Sequence, residues 1–159
     1  MPSTAQGESV AVHLLRALQS CAAAEGSAQR HVFERTRALV FFGVPHAGSE
    51  LADLKWGLGY MIKPAAPIPE LLSSPRLSAL NEWLAAVPHI ESLSFGEALP
   101  TLLAPHVPRV VVVKAESADP GFGTFVKVDT ADHYSICKLD RETDEYQTLL
   151  AFIKRSVDR

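Results

Sequence analysis

The chain is poor in cysteine: Cys21 and Cys137 are the only two. Two thiols make no disulfide scaffold, and their positions have no metal-ligand spacing, so neither a disulfide framework nor a metal site is expected. Long runs of positive charge are also missing. The formal net charge is −3, and with no basic stretch to offset it, nucleic acid is excluded as the main partner. The longest apolar runs, such as Ala38–Phe42 and Val110–Val113, fall far short of the roughly 20 residues that cross a bilayer. No transmembrane segment is expected. The opening residues, MPSTAQGES, are small and polar and do not read as an Arg-rich or apolar leader. Internal repeats and low-complexity tracts are absent as well. What is present is ordinary globular material: 159 residues, 47% hydrophobic and 21% charged, enough for one domain with a buried core.

The stretch from Ala38 to Ser49, ALVFFGVPHAGS, organises the rest. Its first five residues are apolar without alternation, the pattern of a strand covered on both faces, as in a parallel sheet between helices. Gly43 and Pro45 end the strand, and Ser49 is placed to cap a following helix that runs to about Ile62. A central strand emptying into such a loop is where open α/β sheets hold ligands. Trp56, Tyr60 and Met61 on that helix fit core packing better than an acyl cavity.

Upstream, Ala11, Leu14, Leu15, Leu18, Cys21 and Ala22 fall at helical spacing, and Ser27 to Arg37 reads as a short helix or loop. Downstream, Lys63 to Pro69 is a proline-rich connector, and Ser74-Pro75 opens a helix with Leu77, Leu80, Leu84 and Val87 as its buried stripe. His89 to Phe95 can form a strand, Val110–Val113 reads as a further buried parallel strand, and Phe125–Val128 as a short strand or extended segment. The final helix, about Glu142 to Val157, carries the stripe Tyr146, Leu149, Leu150, Ile153 and Val157.

Two motifs carry a resemblance. VFFGVPHAGSELADL and DTADHYSICK, with PELLSSPRLSALNEWL and ESADPGFG between them, resemble the corresponding stretches of the serine-active-site-containing protein family, lipase-like α/β-hydrolases with plant and algal relatives. The resemblance covers roughly residues 36 to 155. It implies an α/β fold, about three parallel strands flanked by helices forming the C-terminal part of an α/β-hydrolase. The chain is then expected to be a single, incomplete domain over residues 1–159, with a lid-type insertion at 55–90. The implied activity is serine ester hydrolysis in lipid metabolism, phosphatidylglycerol remodelling included, on a lipid or ester substrate and without a cofactor. The resemblance suggests association with the mitochondrion or endoplasmic reticulum, and the chain itself carries no targeting signal that would assign a location.

Such chemistry needs a serine on a strand-to-helix elbow, then an acid, then a histidine later in the chain. His133 follows the last strand signal and matches the family's DHxxxCK motif, so it is the expected base. Glu116 and Asp119 both follow Val110–Val113 and could reach a histidine in the next loop; the resemblance favours Glu116, with Asp119 as the alternative acid. Asp132 adjoins His133, but neighbours in an extended segment point apart. Cys137 near His133 is no thiol nucleophile without a group to activate it.

The candidate nucleophile is Ser9, within Gly7-Glu8-Ser9-Val10-Ala11, a degenerate form of the family's G-H-S-x-G-G elbow. Ala11 stands where a glycine lets two backbones pass closely, and no apolar strand precedes Ser9. A chain so built is expected to be a poor hydrolase, and the alternative reading is a non-catalytic interaction module on a hydrolase scaffold. The strand at 38–42 is also expected to leave one ladder edge uncovered, through which the chain could associate.

Overall fold

The computed structural model describes residues 10–46, 75–103, 105–106 and 108–158. Helix α1 (Val10–Ala23) and helix α2 (Ala28–Arg35) precede strand β1 (Ala38–Phe42), and helix α3 (Pro75–Ala85) leads into strand β2 (Glu91–Glu97). A one-turn helix α4 (Ala115–Ala118), strand β3 (Thr124–Val128) and helix α5 (Asp144–Val157) complete the order. The expected helix from Ser49 to Ile62, with Trp56, Tyr60 and Met61, lies outside the described residues, as do Ser9 and the connector at 63–69.

The strands form one sheet in the order β1-β2-β3, both pairs parallel, with Phe42 opposite Phe95 and Phe95 opposite Val126. This is an α/β fold. Each parallel pair needs a crossover, which is why helices fall on both faces. Leu39 and Phe41 turn to one side, where Val12, Leu15 and Leu18 of α1, Phe33 of α2 and Leu77, Leu80 and Leu84 of α3 close over them. Val40 and Phe42 turn to the other, joining Leu93, Phe95, Val128, Ile136 and Phe152 of α5. The apolar run ALVFF is therefore read by both layers, as its lack of alternation implies.

Local chemistry sets the helix ends. Ser27 Oγ accepts from Arg30 N at 3.3 Å and starts α2. Thr143 Oγ1 accepts from Tyr146 N at 3.3 Å and starts α5. Asp144 and Glu145 in its first turn and Lys154 and Arg155 in its last oppose the helix dipole.

Three expectations need correction. Val110–Val113 is not a strand of the sheet. Only Val110 makes a bridge, antiparallel to Thr101, and the run is a covered loop whose Val113 is buried. The buried stripe of α5 is turned by one residue: Phe152 and Ser156 are buried, while Ile153 and Val157 are exposed. Ser156 tolerates burial because its Oγ donates to Phe152 O at 2.8 Å. On α1, Leu14 is exposed. Of the segment 55–90 expected as a lid-type insertion, the described part contains α3, whose leucines are core.

Glycines fix two close approaches. At Gly96 an added Cβ would stand 2.7 Å from the Phe125 ring. At Gly123, which enters β3 with φ +71°, it would meet the Ser92 backbone.

Candidate acid–base site

Along β2, Leu93, Phe95 and Glu97 share one face. The first two fill the core, so the third arrives at the carboxyl end of the central strand still inside the protein: Glu97 is 1% exposed. A carboxylate there needs partners. Its Oε1 accepts from the backbone N–H groups of Val112 and Val113 at 2.7 and 3.0 Å. Its Oε2 accepts from His133 Nδ1 at 2.6 Å, a short, charge-assisted hydrogen bond.

His133 is delivered by the turn that follows β3. That turn is tied back to the sheet: Ala98 N and Leu99 N both donate to Ala131 O, at 3.2 and 2.9 Å, and His133 N donates to Thr101 Oγ1 at 2.9 Å. With Nδ1–H donating to Glu97, the lone pair falls on the other ring nitrogen, Nε2, on a side chain 34% exposed. The Glu97 hydrogen bond raises the pKa of His133 above its ordinary value; partial burial works against this, and the Glu97 and Asp132 charges add to the rise.

The pair stands against the end of β1. Gly43 adopts φ +58°, and a Cβ there would come within 3.2 Å of His133 Nδ1 and 3.3 Å of Glu97 Oε2. Its N–H donates to Phe95 O at 2.9 Å. The glycine that ends the strand thus gives the pair its room, and its left-handed backbone disfavours any other residue. All of this lies at the carboxyl ends of parallel strands, where open α/β folds hold their sites.

The carboxylate that meets His133 is Glu97, and neither Glu116 nor Asp119 is brought to the ring. Glu116 sits exposed on α4. Asp119 is exposed, its Oδ1 accepting from Gly121 N at 2.8 Å, and its charge acts on His46 rather than on His133. Both follow a run that proves to be a loop, so neither is carried to the His133 ring. Asp132 turns into its own loop, accepting from Ser135 Oγ at 2.7 Å and Ser135 N at 2.9 Å. The signal for Glu97 was available in sequence: an acid continuing the alternation of Leu93 and Phe95 at a strand's end.

His46, in the loop after β1, is 2% exposed and holds three segments together. Its N–H donates to Ser117 O at 2.6 Å. Asn81 Nδ2 donates to its carbonyl at 3.0 Å, and its Nδ1–H donates to Asn81 Oδ1 at 3.1 Å. The ring packs edge-on against Phe41. Burial above all lowers its pKa, keeping the ring neutral, and the Asn81 bond and Asp119 charge oppose that. His46 is a structural tie. Among the described residues no cluster of His, Cys, Asp or Glu could hold a metal ion, and no helix is long and apolar enough to cross a membrane.

A buried carboxylate hydrogen-bonded to an imidazole thus stands at the strand ends of an α/β domain. The chain is 35% identical over 128 residues to Protein SERAC1 of Danio rerio, 77% of this chain and 19% of the relative. It is 34% identical over 131 residues to Protein SERAC1 of Homo sapiens, 79% of this chain and 20% of the relative. The chain thus spans about a fifth of the length of these homologues. No protein-family model matches it, and no solved structure does.

Proposed function

We propose that the chain carries the acid–base half of a serine ester hydrolase acting on lipid-type acyl esters, His133 serving as general base and Glu97 as the acid that orients it. The single observation that carries the reading is the 2.6 Å bond from His133 Nδ1 to Glu97 Oε2. It fixes the tautomer in which Nε2 accepts the proton of an attacking hydroxyl and returns it to the leaving group. The chain order, Glu97 and then His133, is that of the α/β-hydrolases, in which the serine comes first. The lipid class of substrate is supported by the resemblance of the two motifs to lipase-like proteins and by Leu99, Leu102 and Tyr134. These are exposed on the two segments that bear the pair and offer an apolar rim to an acyl chain.

Ser9, immediately before α1 in the chain, is the serine nearest to the family's elbow pattern, and the reading of His133 does not depend on it. Its elbow is degenerate, with Ala11 in place of a glycine, so turnover by the isolated chain is expected to be slow. The loss of one oxyanion donor alone costs about 10²–10³ in rate. The experiment is hydrolysis of p-nitrophenyl butyrate by the purified chain and by His133→Ala and Ser9→Ala variants. Weak turnover that vanishes with His133→Ala and survives Ser9→Ala is expected, His133 then activating water directly. Turnover indifferent to His133→Ala contradicts the base assignment. Fast turnover abolished by Ser9→Ala shows instead that the elbow is competent.

The edge of the sheet bears on association. Among the described strands β1 pairs on one side only, and Leu39, Val40 and Phe42 are half-buried. An uncovered apolar edge templates pairing, and covering one such aromatic contributes roughly 1.5–3 kcal/mol. Sedimentation velocity should show concentration-dependent self-association. A monomer across a wide concentration range would mean that the edge is covered within the chain.

A further inference from the structure

We infer that Thr101 is a positioning residue for the His133–Glu97 pair, and that the excursion between β2 and α4 closes on both partners as a clamp. Thr101 is fully buried, at 0% exposure, in a segment whose neighbours Pro100 and Leu102 are exposed. A hydroxyl taken out of water needs a partner to offset its desolvation, and here that partner is the site itself. Thr101 Oγ1 accepts the backbone N–H of His133 at 2.9 Å. Its own backbone is held from both directions, N–H to Val110 O at 2.7 Å and O from Val110 N at 3.0 Å. Two and three residues beyond Val110, the N–H groups of Val112 and Val113 grip Glu97 Oε1. The path Glu97–Val112–Val110–Thr101–His133 is therefore a closed ring, whose last link is the His133–Glu97 bond itself.

The ring does what a strand end alone cannot. Glu97 is fixed by β2, but His133 sits five residues past the end of β3, on a turn. Without a second anchor, that turn could swing the imidazole away from the carboxylate. The Thr101 hydroxyl supplies that anchor at the backbone of His133. The bridge to Val110 makes one mechanical unit of it and the amides that aim the carboxylate. A positional slip of even an ångström in such a pair degrades proton transfer.

The catalytic consequence rests on the proposed reading of His133 as the base; the clamp itself does not, and its test needs no turnover. NMR of the ¹⁵N-labelled chain follows the ring of His133 through a pH titration in wild type, Thr101→Val and Thr101→Ser. Valine keeps the shape and removes the acceptor; serine keeps the acceptor. In Thr101→Val the titration midpoint of His133 is expected to move down toward that of an ordinary histidine, with loss of the low-field Nδ1 proton signal. In Thr101→Ser both are expected to be retained. A folded Thr101→Val with midpoint and signal unchanged overturns the inference. Should Thr101→Val fail to fold, hydrogen exchange of the His133 amide in the unmodified chain decides: strong protection is expected, and exchange at the rate of an open loop overturns it. Absence of esterase turnover would count against the proposed function and leave the clamp standing, whereas a free His133 amide would do the reverse.

Discussion

Replacing Glu97 with alanine is expected to destabilise the chain far more than an ordinary surface change, and to do so without creating a large apolar cavity. The side chain is fully enclosed. Its removal strands the Val112 and Val113 N–H groups, each worth roughly 1–3 kcal/mol when left unpaired inside a protein. His133, 34% exposed, can turn to water and adds less. The damage should therefore register as a loosened 98–113 excursion rather than as a melted sheet. Urea denaturation read by circular dichroism gives the free energy, and amide exchange locates it. A loss well below about 1 kcal/mol would mean that the excursion finds other partners.

Gly123→Ala is expected to be the most damaging alanine substitution among the described glycines. Gly123 has φ +71°, and an added Cβ would lie 2.6 Å from the carbonyl oxygen of Ser92, with Ser92 Oγ closer still. Left-handed backbone costs a non-glycine residue roughly 1–2 kcal/mol. Forcing a methyl into occupied space adds about 1–3 kcal/mol more. The obstacle is backbone, which cannot rotate out of the way. The site should suffer too. Gly123 is the entry to β3, and β3 in register with β2 brings Val128 opposite Glu97 and so carries the turn bearing His133 to its carboxylate. Thermal unfolding of Gly123→Ala beside Gly121→Ala separates space from backbone conformation, because Gly121 has φ +77° and nothing within 4 Å. A similar loss for both would show that strain alone sets the cost.

The parallel sheet was legible in the sequence, and the carboxylate that meets His133 was not. ALVFF has the pattern of a strand packed on both faces, and Ala38–Phe42 is a strand whose side chains join the clusters on both sides of the sheet. His133 was marked by its place after the last strand signal, in a motif the resemblance supplied. Four consecutive valines resemble a buried strand, and Glu116 and Asp119 follow them in the chain. A continuous apolar run cannot separate a buried strand from a loop tucked under the site. Here the run gives Val113 to the core and its amides to Glu97. The strand expected at 89–95 stops at Phe95, whereas β2 runs on to Glu97. Alternation carried one residue pair further would have set the acid on the buried face. The stripe of α5 failed for a related reason: Ile153 and Val157 look like core by residue type, but the face that packs is Leu149, Phe152 and Ser156.

The pairing of Glu97 with His133 has a pH signature of definite sign. Glu97 raises the pKa of His133 in the folded chain, so its contribution to stability is fully present below the unfolded histidine value of about 6.5. It is lost as the pH rises through the folded value. The pH titration of the His133 ring by NMR, in wild type and in Glu97→Gln, tests this most directly. A wild-type midpoint above that of an ordinary histidine, falling in Glu97→Gln, is the predicted result. A midpoint identical in the two proteins would contradict the pair, and with it the site.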